Sequence, residues 1–91
     1  MSLQEMEALR ARFRARAIED LDPIRTWLAT GERASDAIER MIHNLAGAAG
    51  TFGYPDLHQA ASRVDDALCA GSVPDASDGR ALIAAIVALP R

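Results

Sequence analysis

The segment Ser35-Asp36-Ala37-Ile38-Glu39-Arg40-Met41-Ile42-His43-Asn44-Leu45-Ala46-Gly47-Ala48-Ala49-Gly50-Thr51-Phe52 decides how the chain is read. At about 100° per residue, Ile38, Met41, Ile42, Leu45, Ala49 and Phe52 gather on one side, which predicts an amphipathic helix. Ser35 is a good N-cap, and Asp36 in the first turn complements the helix dipole. With Ile38 at 0°, His43 falls at about 140°, Gly50 at about 120° and Gly47 at about 180°, with Asp36 and Arg40 on the same outer side. The face opposite the core is a histidine flanked by two positions without side chains. Glycine in a helix interior costs roughly 1 kcal/mol relative to alanine. This chain uses alanine freely, at 19 of its 91 positions. Two readings stand side by side. The glycines clear a path for a partner to His43, or the small residues from 46 to 50 let another helix pack closely.

Working outward, the chain on both sides is helical in pattern. Leu3, Met6, Leu9, Phe13, Ala17, Leu21, Ile24 and Leu28 recur at steps of three or four, one face of a long helix from about Leu3 to Ala29. Pro23 inside it removes a backbone donor and crowds the preceding turn, so a kink or break is expected near Asp22. Thr30-Gly31 ends it, with Gly31 suited to a left-handed cap. After the central segment, Gly53-Tyr54-Pro55 is a stop. A third helix is expected from an N-cap at Asp56 to about Ala70, with Leu57, Ala61, Val64 and Leu68 as its stripe. Gly71-Ser72-Val73-Pro74 reads as a loop. A fourth helix begins near Asp75 or Ser77, carries Leu82, Ile83, Ile86, Val87 and Leu89, and stops at Pro90. Nothing alternates like a strand. One all-α domain, an antiparallel four-helix bundle over residues 1–91, is the expected architecture, with Phe13, Trp27 and Phe52 as its bulky core members.

Composition narrows the function classes. A chain of 91 residues has room for one core, not for separate nucleotide-binding and catalytic domains. The net charge is −3, which gives no overall electrostatic case for nucleic acid. All ten basic residues are Arg. Arg10, Arg12, Arg14 and Arg16 alternate in position and so spread over two sides of a helix. Cys69 is the only cysteine, which excludes an internal disulfide and a Cys-rich metal site. The longest apolar run, Ala81 to Pro90, is too short to span a bilayer. The start lacks the pattern of a signal peptide, so a cytoplasmic protein is expected. A monomer is the expected oligomeric state.

The third segment carries a second clue. With Leu57 at 0°, His58, Ser62, Asp65 and Cys69 fall on one flank of the core stripe, between about 80° and 140°. Short connections make the second helix a natural neighbour of that flank, so Asp65 or Ser62 can approach His43. A carboxylate accepting from Nδ1–H fixes the imidazole tautomer and raises the nucleophilicity of Nε2. The competing reading is that Asp65 is a solvated flank residue.

At this point the residues meet a known family. His43-Asn44-Leu45-Ala46-Gly47, followed by Gly53, resembles the signature of histidine-containing phosphotransfer (HPt) domains. Ala49-Gly50-Thr51-Phe52-Gly53-Tyr54 and the stretch from Leu57 through Asp65-Asp66-Ala67-Leu68 are similar to the phosphotransfer domain of chemotaxis-type histidine kinases. The close match spans about Ile42 to Leu68. The resemblance implies a four-helix-bundle phosphocarrier with His43 as phosphoacceptor and Gly47 clearing space for a docking receiver domain. Gly50, Ala46 and Asp36 belong to the same implied docking surface. Asp65 stands where chemotaxis-kinase domains place a glutamate that hydrogen-bonds the histidine, and Ser62 where that subgroup can carry another histidine. The lysine usual after the phosphohistidine is replaced by Ala46, leaving Arg40, one turn before His43, as the available cation.

The chemistry fits a carrier better than an autonomous enzyme. Phosphoryl transfer needs an in-line nucleophile, charge stabilisation and usually Mg²⁺. The chain offers the nucleophile but no nucleotide site and no carboxylate cluster shaped for Mg²⁺. The expectation is therefore no intrinsic cofactor, with Mg²⁺ and the aspartyl phosphate supplied by the receiver domain of a response regulator or hybrid histidine kinase. Gly47, Gly50 and Gly53 match neither the dinucleotide fingerprint nor the phosphate-binding loop. The competing function is an HPt-like docking module that binds a receiver or kinase without carrying phosphate.

Overall fold

The computed structural model describes residues 1–90 and has four α-helices, with no strand among the described residues. They are α1 (Leu3–Thr30), α2 (Asp36–Thr51), α3 (Pro55–Cys69) and α4 (Ala76–Val87). Each helix packs on two others, α1 on α2 and α4, and α3 on α2 and α4, which closes a ring around one core. The expected four-helix bundle is the observed one. Its centre is made by Ile24, Ile42, Leu57, Val64, Leu82 and Ile86.

Helix ends follow the local chemistry, with two corrections. Ser35 caps α2 as expected, its side chain accepting from the Ile38 amide at 3.2 Å. Gly31 caps α1 at φ 67°, in the left-handed region. The expected N-cap of α3 at Asp56 is displaced: Tyr54 is the cap and Pro55 opens the helix. Proline fits the first helical position because its missing N–H has no intrahelical partner there anyway. Gly53, at φ 81°, lets the chain turn between α2 and α3, and the Tyr54 amide closes α2 on the Ala49 carbonyl at 2.9 Å.

The expected break at Pro23 is absent, and α1 runs through it for 28 residues. At about 1.5 Å per residue such a helix is about 42 Å long, which equals the 42 Å long dimension of the molecule. A sharp bend would shorten it. Pro23 itself is exposed, while Leu21, Ile24 and Trp27 around it are buried. Packing on both sides of the missing hydrogen bond holds the helix together. The first turns of α1 extend past the packed core, leaving Leu3 exposed.

The turn between α2 and α3 is tied to α1 by aromatic side chains. The Phe13 ring lies 5.6 Å from Phe52 and stacks on Tyr54 at 5.5 Å. Arg14 donates to the Tyr54 hydroxyl at 2.8 Å, and the Arg10 guanidinium lies over the Tyr54 ring. Phe13 and Trp27 are buried as expected, and Phe52 is half-buried at the rim. At the other end of α1, the Trp27 indole N–H donates to the Glu32 carbonyl at 3.0 Å.

Asp20 is the one buried charged residue among those described, with the Arg16 guanidinium 3.5 Å away. Burial pushes its carboxyl above the usual aspartate range, opposed in part by Arg16. The folded state therefore holds the Asp20 proton more tightly than the unfolded chain. Stability contributed by this group is present below the ordinary aspartate pKa of about 3.9 and is lost as pH rises through the raised value. Asp20→Asn is expected to be more stable than the natural chain at pH 7, with the gap closing near pH 3. Urea unfolding at the two pH values checks this, and an equal gap at both would contradict it.

Candidate functional site

The site is built on the seam between α2 and α3. Ile42, Leu45 and Ala49 from one helix and Leu57, Ala61, Val64 and Leu68 from the other are buried. Packing these stripes leaves the residues just outside them to meet across the seam. His43 Nδ1 and Asp65 Oδ2 are 3.1 Å apart. Seven residues further along α2 and seven back along α3, His58 Nδ1 lies 2.8 Å from the Ala46 carbonyl and packs over Gly50. Both pairs have the same antiparallel register.

His43 projects into solvent, its side chain 72% exposed, whereas the Asp65 carboxyl is only 17% exposed. An ionised carboxylate has no proton to give, so the Nδ1–H donates to Asp65. The lone pair of Nε2 is then left outward, available to an electrophile. A groove of ≈ 380 Å³ opens beside the ring, lined by Asp36, Glu39, Arg40, Leu68 and Cys69 together with the pair itself. Arg40 is the only arginine on it and makes no ion pair within 4.0 Å among the described residues. Asp36 and Arg40 thus lie beside His43, as the helical wheel indicates.

The other residues singled out in the sequence divide. Gly47 is exposed, and a Cβ there would meet nothing within 4 Å, so the face beside His43 is open. Gly50 is different. A Cβ on it would lie 3.0 Å from His58 Nδ1 and 3.2 Å from Cε1. Its missing side chain makes room for His58 of the neighbouring helix, as the close-packing reading expects, while Gly50 itself stays exposed. Ala46 is corrected. It is 6% exposed and part of the core, so its side chain is no docking surface. Ser62, one turn before Asp65, is half-buried and is not a hydrogen-bond partner of His43.

Sequence reasoning placed His58 on the correct flank but did not find its partner. The signal was present in Gly50, a glycine facing a histidine across a helix pair. Reading it requires the register of α2 against α3, which periodicity alone does not fix. No group of three or more His, Cys, Asp or Glu side chains positioned for a metal occurs among the described residues. No helix among them is long and apolar enough to cross a membrane.

Neither the curated proteins nor the solved structures compared with the chain gave a match. A family model described as the Hpt domain matches residues 8–89, which takes in α2, α3 and α4 whole and α1 from Ala8 onward. With an exposed histidine on the second helix of a four-helix bundle and a family match over nearly its full length, the chain belongs to the Hpt family of histidine phosphotransfer domains of phosphorelays.

Proposed function

We propose that His43 is the phosphoacceptor of this domain, taking a phosphoryl group from the aspartyl phosphate of a receiver domain and passing it to another receiver. The observation that carries this reading is the 3.1 Å contact of His43 Nδ1 with Asp65, which leaves Nε2 as the exposed nucleophile. In the forward step Nε2 attacks phosphorus, the phosphorus–oxygen bond to the aspartate breaks, and the aspartate leaves as carboxylate. The Nδ1 proton stays where it is, and its bond to Asp65 strengthens as the ring gains positive charge. The return step reverses these bonds on a second receiver. Mg²⁺ arrives with the receiver and neutralises charge on the transferred group. Arg40, free on the groove wall one turn from His43, is the cation that offsets charge on the phosphoryl oxygens in place of the family's lysine. Gly47 gives the receiver its approach.

Three substitutions test this reading. Incubated with a phosphorylated receiver, the natural chain should take up acid-labile phosphate rapidly. His43→Gln should lose that rapid uptake while keeping its helical circular dichroism. Undiminished uptake by His43→Gln would remove His43 from the role. Asp65→Ala should slow transfer by roughly 10-fold or more without abolishing it, the usual scale for losing a group that orients a reactive histidine. The ring nitrogen shifts in ¹⁵N NMR should show the Nδ1–H tautomer of His43 losing its dominance, and an unchanged tautomer and rate would exclude the orienting role. Gly47→Leu should leave the fold intact and weaken receiver binding in titration calorimetry. Unaltered affinity would mean that the receiver does not approach over Gly47.

A further inference from the structure

His58 shares with His43 the features that make a histidine nucleophilic. A backbone carbonyl only accepts hydrogen bonds, so the 2.8 Å contact with Ala46 fixes the proton of His58 on Nδ1. Nε2, on the far side of the ring, then carries the lone pair. His58 is exposed, and no protein hydrogen bond reaches Nε2 among the described residues. The position of the ring is built rather than incidental. It occupies the space left by Gly50, where a Cβ would come to 3.0 Å from it, so a side chain there would press on the ring by a few tenths of an ångström. His58 lies beside Gly50, two turns of α2 beyond His43, which is roughly 10 Å away. A group reacting at one ring therefore does not touch the other.

We propose that His58 is a second phosphoryl-accepting histidine, reacting at Nε2 with its Nδ1–H held by the Ala46 carbonyl. With phosphoramidate in its nitrogen-protonated form as donor, Nε2 attacks phosphorus, the phosphorus–nitrogen bond breaks, and ammonia departs with the electron pair of that bond and the three protons it already carried. The product ring keeps its Nδ1 proton and carries the positive charge. Its hydrogen bond to the carbonyl becomes charge-assisted, which favours the phosphorylated form. The same step from an aspartyl phosphate releases a carboxylate in place of ammonia. This assignment does not depend on receiver docking at His43.

The test uses the His43→Gln chain with phosphoramidate, followed by ³¹P NMR. One acid-labile phosphoryl group with the Nε2-phosphohistidine signature is expected, and it should be absent from His43→Gln/His58→Gln. In His43→Gln/Gly50→Ala the added methyl presses on the ring and weakens its bond to the carbonyl, so uptake should slow several-fold with circular dichroism unchanged. A parallel incubation with a phosphorylated receiver distinguishes the donors. Label on His58 from phosphoramidate alone assigns small phosphodonors, and label from both assigns the receiver as well. Uptake by His43→Gln no greater than by the double variant, with either donor, would overturn the proposal. So would a His43→Gln/Gly50→Ala chain labelled at the same rate as His43→Gln, because His58 would then react only as any exposed histidine does.

Discussion

The register of α2 against α3 is the constraint on which the rest depends. Both seam contacts, His43 with Asp65 and His58 with Ala46, require that particular antiparallel pairing. A slip of one turn would move Asp65 by about 5.4 Å and break the first contact. Magnitudes say which interactions set the register. Burying one Leu or Ile side chain is worth about 1.5–3 kcal/mol, and Ile42, Leu45, Leu57 and Leu68 all lie on these two helices. A hydrogen bond contributes only about 0.5–1.5 kcal/mol net, and the His43 ring is largely solvated. The apolar stripes therefore dictate the register, and the polar contacts at the rim are its consequence.

Small residues let that seam work at short range. Ala46, Ala49 and Ala61 are buried on these two helices. Their size lets α2 and α3 approach, so that aspartate, a methylene shorter than glutamate, still reaches the imidazole. Gly50 carries the same logic further, since even a methyl group there would intrude on His58. The alanine richness is thus a geometric choice as well as a matter of helix propensity. At the end of the hairpin, Phe13 and Arg14 of α1 hold Tyr54 and so tie the turn to α1.

Most of the fold was legible in the sequence because it rests on periodicity and caps. The four helices, the Ser35 cap, the Gly31 cap and the outward side of α2 all followed from spacing. The misreadings came where two local rules competed. Pro23 breaks an isolated helix, but the buried residues around it override that preference. Asp56 has the chemistry of a cap, but Pro55 is better placed to open α3. At the site, the wheel found His43, Arg40, Asp36 and Gly47. It placed Gly50 outside, where it is exposed, but could not show that His58 packs over it, and the docking role that the resemblance gave Ala46 fails because that side chain is buried. The packing of His58 depends on how closely α3 approaches, which belongs to the pair of helices rather than to either one.

The replacement of the family's lysine changes the electrostatics of the groove more than its shape. Asp36, Glu39 and Asp65 surround His43 with negative charge, against the single guanidinium of Arg40. A phosphoryl group on Nε2 would add further negative charge in that setting. At the surface each such interaction is worth only about 1 kcal/mol at 4 Å, and salt screens it further. The effect is therefore modest and directional. If His43 carries phosphate as proposed, an acidic rim would destabilise the phosphorylated form relative to a receiver that brings its own divalent cation, and Arg40 would limit that destabilisation. On the proposed function, this balance favours onward transfer over storage. Ala46 then has a physical reading as a small residue that packs into the seam and leaves the charge of the groove to the residues around it.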